Sequence, residues 1–230
     1  MGHFADSLTF SGRKVVAAWA SLPFPVFRGS SLPDALSAHQ DVPWKSLSSG
    51  RQHKVSSCFA QSVVLRGVGR ESPSSSRGQQ PPTPLHTCES PEQLLHQFLH
   101  SHFPGAFSTA HVLQQPCHTM PPFPQFFSPL LTSQGFLQDK ALGRSSAGPH
   151  RAVESIPVLA ALQSSPVLHT LLWGLCRDLR PRDLRRWSSF FAAGVEQDDF
   201  QEALEELKTL SQCYETGFGA AESEDEADSD

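Results

Sequence analysis

The 230-residue chain is 38% hydrophobic and 18% charged, with 19 Pro and 15 Gly, too little apolar material for one core running its full length. Its formal net charge of −5 conceals a gradient of +5 over residues 1–70, +2 over 71–195 and −12 over 196–230; the total excludes a nucleic-acid binder that works by overall charge. Five widely spaced cysteines, Cys58, Cys88, Cys117, Cys176 and Cys213, read as reduced thiols of an intracellular protein.

Residues 1–70 form a basic, Ser-rich segment whose apolar pieces, such as Val15–Ala20 and Ser62–Leu65, are broken by Gly and Pro. No sustained period of 2 or 3.6 runs through it, so it is expected to be poorly structured. Arg13-Lys14 ahead of the Val15–Ala20 run imitates a signal peptide, but the run is far too short to span a bilayer and Pro23 and Pro25 follow it. A mitochondrial transit sequence is the alternative reading of this Ser-rich, acid-poor start. Residues 71–90, including Glu71-Ser72-Pro73-Ser74-Ser75-Ser76 and Pro81-Pro82-Thr83-Pro84, read as a linker that buries too little to offset the entropy of ordering.

Ser90-Pro91-Glu92 opens a helix predicted over 91–102, with Ser as N-cap and Pro in the first turn. Leu94, Leu95, Phe98 and Leu99 lie on one stripe, and Pro104-Gly105 ends it. Residues up to 149 return to a Phe/Pro-rich irregular segment around Pro121–Leu131, either a docking segment or a loop folded over the core.

The region 150–217 is read as a helical module. Its first helix is predicted from Ser155 to Gln163 on Ile156, Leu159 and Leu162. Ser164-Ser165-Pro166 then starts a second carrying Leu168, Leu171, Leu172, Leu175 and Leu179. Pro181 opens a third through Leu184, Trp187, Phe190 and Phe191, closed by Gly194. A fourth, Glu196 to Glu215, places Phe200, Ala203, Leu207, Leu210 and Tyr214 on a 3-4 seam widened by Leu204. Residues 218–230 are an acidic tail. The expected fold class is therefore a mostly disordered N-terminal two-thirds, a small all-α C-terminal bundle and an acidic disordered tail.

Leu171, Leu175, Trp173, Trp187, Phe190, Phe191, Phe200 and Leu207 are the candidate core or interface anchors of that module. Arg177, Arg180, Arg182, Arg185 and Arg186 are candidate contacts for an acidic partner; no stacking platform or phosphate loop accompanies them, which disfavours nucleic acid. Leu168-His169-Thr170-Leu171-Leu172 has LxxLL spacing, read as core rather than motif. His96 and His100, near His86, Cys88, Cys117 and His118, lack standard zinc spacing. Ser72, Thr83, Ser128 and Ser223 are candidate phosphorylation sites, the first three followed by Pro and the last by acids.

No GxSxG elbow, HExxH helix, phosphate loop or GxGxxG unit occurs. These features predict no enzymatic activity, no cofactor or metal, and no membrane span. A nuclear or cytoplasmic adaptor docking into a multi-subunit protein complex is the function expected. A transcriptional coregulator using the acidic helix 196–218, or an imported mitochondrial factor, are the alternatives.

Overall fold

A computed structural model describes residues 12–38, 58–69, 84–122, 127–138, 152–179 and 188–215. In chain order these contain β1 (Ala17–Ser21), α1 (Leu32–Ala38), β2 (Ala60–Arg66), a 3-10 turn (Pro84–Thr87), α2 (Pro91–His102), β3 (Phe107–Leu113), β4 (Cys117–His118), β5 (Ser155–Ile156), β6 (Val158–Ser164), α3 (Val167–Asp178), α4 (Ser188–Ala192) and α5 (Gln197–Gln212). The protein is thus mixed α/β, and the expectation of a disordered arm carrying an all-α bundle is wrong.

A four-stranded sheet in the order β1-β6-β2-β3 organises the fold. β6 is antiparallel to both β1 and β2, whereas β2 and β3 are parallel and joined through α2, as a parallel pair requires a crossover. The register aligns Ala17 with Gln163, Gln163 with Gln61, and Gln61 with Ser108, so these four share one face with Trp19, Ala161, Val63 and Ala110. α1 and α2 cover that face: Val63, Leu65, Leu159 and Ala161 join Leu32, Leu36, Leu94, Leu95, Phe98, Leu99 and Phe103 in the main core.

α2 forms as its sequence predicts. Ser90 Oγ accepts from Gln93 N at 3.1 Å and Gln93 Oε1 accepts from Ser90 N at 3.2 Å, a reciprocal capping box. Its stripe, Leu94, Leu95, Phe98 and Leu99, is buried. The predicted helix from Ser155 to Gln163, by contrast, is strand. Leu159, Ala161 and Gln163 alternate toward α2 while both faces of β6 are largely buried. A strand covered on both sides reads as a continuous apolar run, which periodicity alone cannot separate from a helix.

A row of hydrogen bonds crosses the helix-covered face. Trp19 Nε1 donates to Gln163 Oε1 (2.7 Å), Gln163 Nε2 to Gln61 Oε1 (2.9 Å), and Gln61 Nε2 to Ser108 Oγ (3.0 Å). The indole can only donate, so it fixes the orientation of both amides in turn. Gln163 and Gln61 are 1% and 0% exposed, yet each side-chain amide is paired on both sides.

The opposite face carries Ala18, Ala20, Ala160, Leu162, Ser62, Val64, Phe107 and Leu113. A second, smaller cluster built on Val153, Ile156 and Val158, with Cys117, Phe127 and Leu131, reaches Ala160. Ala18, Ala20, His111, Phe107 and Leu113 remain exposed.

Candidate interaction surface

α3 follows β6 directly and packs against α5. Pro166 occupies the N-cap position, and no serine side chain caps the helix: Ser164 belongs to β6, contrary to the predicted Ser-Ser-Pro start. On α5 the side turned inward runs Phe200, Leu204, Leu207, Ser211, with Ala203 exposed. The predicted positions Leu204, Leu207 and Leu210 are half-buried, Ala203 falls outside the seam, and Ser211 is buried in it. His169 Nδ1–H donates to the Ser211 carbonyl at 3.0 Å, and the imidazole stacks on Trp173 with ring planes 11° apart. Phe191 meets Phe200 edge-on at 5.7 Å, which joins α4 to α5. Gly194, at φ +101, supplies the left-handed turn predicted for it after α4.

Beyond α5, Tyr214 is buried in a clasp with the chain ahead of β1. Its hydroxyl donates to Val15 O and accepts from Val15 N, each at 2.7 Å. Arg13 donates from Nε to Cys213 O at 2.9 Å, and its guanidinium lies 3.6 Å from the centroid of the Phe59 ring. Burial pushes the Tyr214 phenol above its ordinary range, against the smaller opposing pull of the Val15 hydrogen bond and the Arg13 charge. Nearby, burial pushes the Cys58 thiol up to about 12, while its Sγ donates to Ala60 O and Ser164 O, both at 3.3 Å.

α3 presents more apolar surface than α5 covers. Leu168 and Cys176 are buried, whereas Leu171 and Leu175, one turn apart, are 59% and 47% exposed. At about 100° per residue the apolar positions from Leu171 round to Trp173 sweep roughly 200° of the helix. Leu171 is therefore not core, as the LxxLL spacing was read, but surface. Among the other predicted anchors, Trp173, Phe191, Phe200 and Leu207 are half-buried. Trp187 and the Phe190 side chain lie outside the described residues, as do Arg180, Arg182, Arg185 and Arg186. Arg177 is exposed and 3.8 Å from Asp178, a pair that contributes little.

Ser128 is exposed and its Oγ accepts from Leu130 N at 3.3 Å; Ser72, Thr83, Ser223 and the acidic tail lie outside the described residues. Among the described residues no three His, Cys, Asp or Glu side chains are grouped to hold a metal ion, and no helix is long and apolar enough to cross a membrane.

The sequence reading passed over the open sheet face and the Arg13–Tyr214 clasp. Neither left a local signal: Phe107-Ser108-Thr109-Ala110-His111-Val112-Leu113 does not alternate apolar with polar residues, and the partners of the clasp are separated by nearly the whole chain.

Comparison with known proteins finds relatives along almost the whole of this sequence. The chain is similar to misato homolog 1. It is 48% identical to the Mus musculus protein over 220 residues, covering 94% of this chain and 38% of the relative. For the Danio rerio protein the identity is 41% over 237 residues, 99% of this chain and 39% of the relative. "Protein misato" of Drosophila melanogaster is 26% identical over 216 residues, 92% of this chain and 37% of the relative. The chain thus spans under two-fifths of the length of these misato proteins. No protein-family profile matches it.

Proposed function

We propose that this chain is a non-enzymatic docking subunit that joins a larger protein assembly through the α3–α5 helix pair. The observation that carries this reading is the exposure of Leu171 and Leu175, at 59% and 47%, on successive turns of α3. Two large aliphatic side chains held outward on one helix flank form an anchor of the kind a partner groove accepts. The flank is continuous with the buried Leu168, so a partner would extend an existing seam. α5 supports docking rather than an activation role, because its apolar side already rests on α3 and its acids face outward.

The test is affinity purification of the full chain from cells, beside Leu171→Asp with Leu175→Asp. Because both side chains are exposed, the double variant is expected to melt within about 2 °C of the parent while losing its stoichiometric partners. Unchanged partner recovery from a folded double variant would remove α3 as the contact.

A further inference from the structure

The two edges of the four-stranded sheet are built differently. β1 is five residues long and is bracketed by Lys14 and by Pro23 and Pro25, residue types that discourage a further strand from adding. β3 runs for seven residues, Phe107-Ser108-Thr109-Ala110-His111-Val112-Leu113, without a Lys, Arg, Asp, Glu, Pro or Gly. Among the described residues no strand pairs with its outer side. The bonds to β2 fix which groups point outward: Phe107 N donates to Phe59 O at 3.0 Å, and Leu113 O accepts from Gly67 N at 2.9 Å. Phe107, Thr109, His111 and Leu113 therefore turn their backbone groups to β2, while Ser108, Ala110 and Val112 turn theirs away from the sheet. Ala110 and Val112 pack toward the main core, so the side chains of the first set lie on the other face. There Phe107 and Leu113, 41% and 47% exposed, stand three residues to either side of Ala110, with His111 exposed between them.

That spacing makes the edge self-complementary. Antiparallel pairing of β3 with β3 of a second copy about Ala110 sets Phe107 of each opposite Leu113 of the other, in a pair that shares no hydrogen bond, where facing side chains come closest. In the same register Ala110 faces Ala110 and Ser108 faces Val112, each exchanging both N–H···O bonds, so the outward backbone groups are paired. A register one step to either side parts Phe107 from Leu113. We propose that β3 is the contact of a two-fold homodimer, in which the sheets of two copies of this chain join edge to edge. The axis stands normal to the sheet at Ala110, the α2-covered faces of both copies lie on the same side, and the contact closes on itself as an isologous interface does. It is independent of the α3 docking role.

The test is sedimentation equilibrium of the full chain and of two single variants over about a hundredfold range of concentration. The parent is expected to associate reversibly to a dimer. Leu113→Glu sets a carboxylate against Phe107 of the other copy, and Phe107→Lys sets an ammonium against Leu113. The two-fold repeats each change, so each dissociation constant should rise about tenfold or more. Both positions are exposed, so at dilutions where the parent is monomeric each variant should melt within about 2 °C of it. An equimolar mixture of the two variants decides the register. In their heterodimer the introduced ammonium meets the introduced carboxylate and the untouched Phe107 meets the untouched Leu113, so the mixture should dimerise about tenfold or more tightly than either variant alone.

A parent that stays monomeric at every concentration would overturn the proposal. A dimer that survives both substitutions would overturn it too, because the contact would lie elsewhere. Dissociation by both folded variants without recovery on mixing would overturn the pairing about Ala110. Leu171→Asp with Leu175→Asp should dimerise as the parent does; loss of the dimer in that variant would move the contact to α3 and overturn the assignment to β3.

Discussion

Gln163→Leu tests whether the row of hydrogen bonds across the sheet acts as a unit. The substitution removes the donor to Gln61 Oε1 and the Gln163 acceptor of the Trp19 Nε1–H. Gln61 is 0% exposed, so its orphaned oxygen costs about 1–3 kcal/mol; half-buried Trp19 can recover water and loses less. A net loss of about 2–4 kcal/mol is expected, read by urea unfolding of the full chain followed by far-ultraviolet circular dichroism. Gln61→Leu alone orphans Gln163 Nε2–H and is expected to cost about 1–3 kcal/mol. Combining the two removes both buried amides together. The remaining ends, Trp19 and Ser108, are each partly exposed, so the double variant is expected to be more stable than Gln163→Leu alone. Simple addition of the two single losses would refute the idea that the amides are coupled, since coupled neighbours must depart from additivity.

Three further outcomes follow from single sites. At Gly135, φ +76, a Cβ would meet Ser155 O at 2.7 Å and Ile156 at 2.8 Å, whereas at Gly105, φ +84, it would meet nothing within 4 Å. Thermal melts should therefore show Gly135→Ala costing about 2–4 kcal/mol and Gly105→Ala only about 1. Tyr214→Phe removes both hydrogen bonds to Val15 and should cost about 1–3 kcal/mol near neutral pH. The folded-state phenol titrates above its unfolded value, so its contribution is complete below about pH 10 and is lost as pH rises through the folded pKa; the variant should flatten that alkaline loss in urea titrations. Cys58, with its thiol pushed up to about 12, should alkylate more slowly than Cys213 in native protein at pH 8, as peptide mapping would show, because the thiolate is the reactive form.

Helices were legible where local chemistry sets them. Ser90, Pro91 and Gln93 encode the start of α2 within four residues, and the apolar spacing of α3 and α5 survives into the structure. The strands were illegible because their partners are remote: β1 is five residues long and, among the described residues, pairs with β6, far along the chain. β6 also carries Leu, Ala and Gln, good helix formers, and its tertiary setting overrides that preference. For the candidate surface, composition marked Leu171 and Leu175 as important but could not orient them. The width of the apolar arc on α3 was visible, and the amount of it that α5 would cover was not.

The order β1-β6-β2-β3 places a late strand between two early ones. At ribosomal speeds of about 5–20 residues per second, roughly 7–30 s separate the synthesis of β1 from that of its partner β6. Until then β1 has no place in the sheet, and β2 has only its parallel neighbour β3. Completion of the sheet is therefore a single late closure, and any chain ending before Val158 loses β1 along with β6. The pairing of β1 and the antiparallel pairing of β2 both wait on seven residues, so the slow step of folding should respond most to changes within Val158–Ser164, even though those residues occupy a small part of the chain.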